Sequence, residues 1–210
     1  IITDNYPLDK GKINAKEGGT RVPLLISGPG IKKGVQSNVV VSGLDFYPTI
    51  LSLLNIDKPK NKHLDGDDLS TLLLKDPTNS KLVLNKNGKE RTTMMWHFPH
   101  ASSQSTLRIG DYKFIRNYDY KNNPKTPEFE LYKLYDSSTG TEQRVDIEEA
   151  NNLAKVDPKR TKEMNAKLTS MLTEMKASYP SYNPNYKKDL EHKKTVPTVI
   201  SATKKNNQVI

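Results

Sequence analysis

The chain has 210 residues, with 34% hydrophobic residues, 27% charged residues and a formal net charge of +9. That length suits one domain or one and a half, with a core of modest size. There is no cysteine, which excludes disulfides and thiolate metal sites. No run of about 18 apolar residues occurs, so no membrane-spanning helix is expected. The first residue is Ile1, and the sequence reads as a processed chain or a fragment. Lysine carries most of the positive charge, with six arginines scattered along the chain. Lysine is a strongly hydrated point charge, whereas arginine grips phosphate bidentately, so most of this charge reads as solvated surface. Nothing interleaves aromatic and basic residues in the manner of a nucleic-acid motif, and no nucleic-acid partner is expected.

In chain order, the first thirty residues read as loop, turn and strand. The apolar residues 22–26 predict a buried strand between the Gly18-Gly19 turn and Gly28-Pro29-Gly30. Residues 39–41 form a short β-branched run. Asp45 is a plausible N-cap for a helix over 45–54, because Pro48 then falls in the first turn, where its missing N–H costs little. Phe46, Ile50, Leu53 and Leu54 share one face of that helix. Residues 63–68 predict a turn and 69–74 a short helix. Four β-leaning segments follow, at 92–96, 105–109, 112–118 and 130–135, with Gly110-Asp111 as a hairpin signal. Asp157-Pro158 opens a last helix, whose Met164, Leu168, Met171, Leu172 and Met175 make one apolar stripe. Residues 179–186 read as an extended, packed tail.

This order predicts an α/β part, too small to close its own sheet, followed by an α+β subdomain in which a long helix packs on a small antiparallel sheet. The expected boundaries are 1–90, 91–186 and a basic tail over 187–210 that reads as solvated surface or disorder.

Several motifs carry a family resemblance. Gly11-Lys12-Ile13-Asn14-Ala15-Lys16-Glu17-Gly18-Gly19-Thr20-Arg21-Val22-Pro23 resembles the Gly-Lys … Glu-Gly-Gly-x-Arg-Val-Pro signature of the type I, formylglycine-dependent sulfatases. Asp45-Phe46-Tyr47-Pro48-Thr49-Ile50 resembles that family's Asp-x-x-Pro-Thr helix start, and Leu64-Asp65-Gly66-Asp67-Asp68-Leu69 its Leu-Asp-Gly turn, with Asp68 where serine is usual. Trp96-His97-Phe98-Pro99-His100 is similar to a stretch of polysaccharide-directed members. Arg108-Ile109-Gly110-Asp111-Tyr112-Lys113-Phe114-Ile115, Glu130-Leu131-Tyr132-Lys133-Leu134 and Asn152-Leu153-Ala154 follow in the family's order. The resemblance implies an alkaline-phosphatase-like α/β domain of which this chain holds the C-terminal edge, plus the C-terminal subdomain. It implies sulfuric ester hydrolysis of a sulfated carbohydrate, by a formylglycine nucleophile made in a Cys/Ser-x-Pro-x-Arg motif and with Ca2+ on the sulfate. It also implies export to the periplasm or outside the cell. No Cys/Ser-x-Pro-x-Arg occurs in this sequence, so nucleophile and most calcium ligands are expected upstream, and the chain alone is expected to be inactive.

By the same resemblance Lys12 is the catalytic lysine that contacts sulfate and leaving-group oxygen, where a cation stabilises developing charge. His97 and His100 are the substrate-binding candidates, since imidazoles can hydrogen-bond sulfate or sugar hydroxyls, with His97 preferred. Asp4 and Asn5 are weaker metal candidates. Their oxygens suit a hard cation, yet Asn5-Tyr6-Pro7-Leu8 matches the family's Asn-x-Pro-Leu stretch better than its calcium pair. Glu17 and Arg21 are expected to pair with each other or with backbone, and Arg108 to pair within the sheet. Two other readings stay open: a phosphate or phosphonate ester hydrolase of the same superfamily, and a non-catalytic polyanion-binding module.

Overall fold

The computed structural model describes residues 4–100, 102–138, 143–181, 183 and 185. The chain divides into Ile1–Tyr179 and Pro180–Ile210, and the first unit carries every element named below. The predicted tail over 187–210 lies outside the described residues.

The sheet is a four-stranded antiparallel meander of β1 (Thr93–Phe98), β2 (Gln104–Ile109), β3 (Tyr112–Asn117) and β4 (Phe129–Lys133), in that order. Register follows the hairpin signal: Ile109 pairs with Tyr112 across the Gly110-Asp111 turn, and Leu107 with Phe114. A two-stranded ribbon, β5 (Tyr135–Asp136) with β6 (Gln143–Arg144), follows β4.

Strand side chains alternate between the two faces of a sheet, and both faces here are covered. Met95, Leu107, Phe114 and Leu131 lie on one face and pack against α4 (Pro158–Glu174) through its Met164, Leu168 and Leu172. The Asp157 carboxylate caps that helix by accepting the Arg160 N–H at 2.9 Å. Arg116, on the same face, donates to the Asn165 side chain and to Thr169 Oγ1, which fixes the helix across the sheet. The opposite face, with Ile115 and Tyr132, receives the N-terminal segment, whose Ala15 is fully buried and whose Leu8 packs beside it.

Between these parts lie α1 (Glu17–Thr20), α2 (Phe46–Leu53) and α3 (Ser70–Lys75). Leu69, Leu72, Leu73 and Val83 form a second small core, with Val39 and Val41 packed on it. The small antiparallel sheet packed by a long helix is the expected subdomain, and ahead of it the described residues hold helices and turns with no strand.

Two expectations are corrected. Residues 22–26 form no strand: they carry no regular secondary structure, with Val22 82% and Leu25 92% exposed. An apolar run becomes a buried strand only when neighbouring strands satisfy its N–H and C=O groups, and none lies beside it among the described residues. Asp45 holds the N-cap position of α2 but gives it no side-chain cap; its carboxylate instead closes a capping box with Ser42 on the 3-10 turn Gly43–Asp45 that leads into α2. The Ser42 N–H donates to Asp45 Oδ2 at 2.8 Å, and Ser42 Oγ accepts the Leu44 N–H at 3.3 Å. Asp45 is fully buried, where it accepts from Arg91 Nη1 at 2.6 Å and the Asp67 N–H at 2.9 Å. The predicted stripe of α2 exists, but Phe46, Ile50, Leu53 and Leu54 all face solvent.

Candidate active site

The Lys12 signature is a loop stacked on a helical turn. The Gly18 N–H donates to Asp9 C=O at 3.0 Å. A Cβ on Gly18 would lie 2.4 Å from Lys10 O, and one on Gly19 2.1 Å from Asn14 O. The double glycine is therefore what lets the 9–14 loop close over α1. Lys10 (φ 65°) and Ile13 (φ 74°) adopt left-handed backbone on either side of Lys12. That region is costly for a β-branched residue, and such strain persists only where the surroundings over-determine it.

Lys12 itself is exposed, and among the described residues it has no ion-pair or hydrogen-bond partner. Its neighbours differ. Lys10 lies 3.9 Å from Asp9. Lys16 is buried, 3.3 Å from Asp9 and 3.6 Å from Glu130, and donates to Tyr132 Oη at 2.9 Å and Glu149 O at 3.0 Å.

Beneath this loop the sheet presents charged and amide groups where a core would otherwise be apolar. Lys113, fully buried on β3, donates to Glu17 Oε1 at 2.8 Å and sits 3.2 Å from Glu149 Oε1. The Glu17 N–H donates to Glu149 Oε2 at 2.6 Å. Beside them the Ala15 N–H donates to Gln104, Gln104 to Asn117, Asn117 to Glu130, and Tyr132 Oη to Glu130. Burial lifts the Glu149 carboxyl above its ordinary value, against the pull of Lys113. Burial and the Glu130 carboxylate drive the Tyr132 phenol well upward, so it stays neutral and donates. Arg21 lies 3.6 Å from Glu17, as expected, and also donates to Tyr135 Oη at 2.6 Å. Arg108 donates to Gly110 C=O at 3.2 Å within the hairpin and lies over the Tyr135 ring.

Lys12 and His97 are not brought together. The lysine segment packs on the face bearing Gln104, Lys113 and Tyr132, whereas His97 shares the α4 face with Met95 and Ser105. Both His97 nitrogens are engaged, Nδ1 with Ser105 Oγ at 2.6 Å and Nε2 with Ser178 C=O at 2.8 Å. Its ring meets Tyr118 and Tyr179 edge-on. His100 stands exposed in the turn after β1.

The described residues do not build a calcium site. Asp4 Oδ1 accepts the Tyr6 N–H at 2.9 Å, and Asn5 Nδ2 donates to Lys10 C=O at 3.0 Å, so both side chains serve their own turn. No three His, Asp or Glu side chains converge elsewhere among the described residues.

Sequence reading missed Lys113, Glu149, Gln104 and Glu130 as partners of the signature. A usable signal was present: Lys113 alternates with Ile115 on a strand flanked by apolar residues on both sides, so it must face a covered layer.

The Sulfatase family model matches residues 2–56. Chicken (Gallus gallus) arylsulfatase K is 29% identical over 188 residues, covering 88% of this chain and 32% of that protein. Its mouse (Mus musculus) counterpart is 31% identical, with coverages of 82% and 29%. The uncharacterized sulfatase YdeN of Escherichia coli K12 is 26% identical, covering 78% of this chain and 32% of its own. Among solved structures, a protein from a Bacteroides thetaiotaomicron locus for metabolism of multiple glycosaminoglycans superposes with a TM-score of 0.55 at 25% identity, covering 78% of this chain and 31% of that one. The chain thus spans about a third of the length of the curated relatives it matches. It is a piece of the alkaline-phosphatase-like hydrolase fold with its C-terminal sheet-and-helix subdomain. The chain belongs to the sulfatase family and corresponds to its C-terminal part.

Proposed function

We propose that this chain contributes to a sulfuric ester hydrolase acting on a sulfated carbohydrate, with Lys12 as the cation that meets the sulfate. The observation that carries this is the contrast along the signature: Lys10 and Lys16 have acidic partners, whereas Lys12 is exposed and unpaired among the described residues in a strained loop. An ammonium held there is ready for charge that grows on the leaving oxygen, where a preorganised cation contributes most. The sulfatase relatives support sulfate over phosphate esters, and nothing in the fold favours a bare polyanion-binding module. The sugar class is supported by the glycosaminoglycan-locus neighbour.

Residues 1–90 would form the edge of the α/β domain and 91–186 the C-terminal subdomain. Of the two histidines, we assign substrate contact to His100, which is exposed, since both ring nitrogens of His97 already have partners within the fold. The formylglycine and most of the Ca2+ ligands would be supplied by other parts of the intact enzyme, and the chain alone would not turn over. No helix among the described residues is long and apolar enough to cross a membrane, and export follows the family.

In the intact enzyme, Lys12→Ala should lower turnover of a chromogenic aryl sulfate about 10²–10³-fold, the scale of losing one preorganised charge-stabilising group, with the circular-dichroism spectrum unchanged. Near-parental turnover would overturn the assignment.

A further inference from the structure

The one large apolar side chain of the Lys12 loop, Ile13, is exposed. The loop's shape is imposed through α1, against which the backbone of residues 9–14 is stacked. That turn is in turn fastened to the sheet at its first residue. Glu17 uses its carboxylate toward Lys113 and its N–H toward Glu149, and the side chains of all three are at most 3% exposed. Glu149 adopts left-handed backbone (φ 54°), as do Lys10 and Ile13. Three strained non-glycine residues thus lie on the two segments that this cluster ties together.

The charge count makes a purely stabilising role a poor explanation. Two buried carboxylates share one buried ammonium, the part-exposed Arg21 guanidinium lies 3.6 Å from Glu17 Oε2, and neither Glu17 Oε2 nor Glu149 Oε1 has a hydrogen-bond partner. Desolvating three charges costs about as much as their attraction returns, and apolar replacements of similar volume are often neutral or stabilising at such sites. What an apolar trio lacks is direction. The ammonium, 2.8 Å from Glu17 and 3.2 Å from Glu149, ties α1 to β3 through directional contacts that an apolar trio would not make.

We propose that Glu17, Lys113 and Glu149 form the positioning device of Lys12, a buried ionic clamp that fixes the α1 turn on the sheet and so sets where the Lys12 ammonium stands. The clamp residues touch no substrate. This rests on the reading of Lys12 as the sulfate contact. A displacement near 1 Å at a catalytic group can cost about 10²-fold in rate, so a clamp this far from the reaction has leverage on turnover.

The test uses the intact sulfatase with Glu17→Gln and Lys113→Met, measuring kcat and KM on an aryl sulfate and inhibition by inorganic sulfate. Both variants should lose about 10–100-fold in kcat and bind inorganic sulfate more weakly by a comparable factor, at temperatures well below their melting midpoints. Introduced into Lys12→Ala, Glu17→Gln should cause no further loss, because its effect runs through Lys12. Folded variants with parental kcat and parental sulfate inhibition would overturn the proposal, as would losses that multiply in the Lys12→Ala background. If Lys113→Met does not fold, the isosteric Glu17→Gln carries the test. Full activity of Lys12→Ala alone would instead sink the sulfate-contact reading, and the clamp with it.

Discussion

Lys113→Met is the substitution whose energetic outcome the structure fixes most tightly. The ammonium is 2.8 Å from Glu17 and 3.2 Å from Glu149, and its side chain is fully buried. Methionine fills the stem but leaves two buried carboxylates without their shared ammonium, with Arg21, 3.6 Å from Glu17, as the cation that remains beside them. Breaking a buried ionic cluster from one side costs about 3–5 kcal/mol. For a unit of this size that lowers the melting midpoint by about 6–20 °C. The penalty should also depend on pH. Burial raises the Glu149 carboxyl above 4.5 even with Lys113 present, and removing the cation raises it further. A carboxyl raised in the folded state contributes its stability below the unfolded value and loses it as pH rises through the folded value. The cost of Lys113→Met is therefore greatest near neutrality and shrinks as pH falls towards 4.5. Urea unfolding at a series of pH values reads both features. Adding Glu17→Gln and Glu149→Gln should recover much of the loss, since the stranded charges are then gone. A cost below about 1 kcal/mol at neutral pH, or one that grows on acidification, would refute this electrostatic account.

Leu168→Ala, which empties a fully buried site among Leu107, Phe114 and Leu131, should cost about 2–5 kcal/mol in the same unfolding assay. Asp45→Ala removes the acceptor of Arg91, the Asp67 N–H and the Ser42 N–H together, and should cost about 3–5 kcal/mol. Hydrogen exchange should then show α2 opening well before α4.

Much of the C-terminal subdomain was legible because its signals are local. Gly110-Asp111 sets one hairpin, period-two alternation marks β2, β3 and β4, and the Met164–Leu168–Leu172 spacing marks the buried stripe of α4. Residues 22–26 and the apolar face of α2 carry equally clear patterns, yet both stand exposed, because pattern reports what a segment could bury and not whether a partner is there. The candidate site divides the same way. Lys12 was visible from its glycine-flanked signature. The cluster that holds its loop was not, since Glu17 and Lys113 are 96 residues apart and only the folded sheet makes them neighbours. The separation of Lys12 from His97 was hidden for a related reason. Strand parity puts His97 on one face, but which face the N-terminal segment covers is decided by tertiary packing.

The central claim is that the Lys12 ammonium meets the sulfate, and a crystal structure of the intact enzyme with inorganic sulfate bound tests it most directly. Lys12 Nζ should stand about 3 Å from a sulfate oxygen, with the Glu17–Lys113–Glu149 contacts intact beneath it. A sulfate held at the nucleophile with Lys12 Nζ more than about 6 Å from every oxygen, too far for a hydrogen bond, would contradict it.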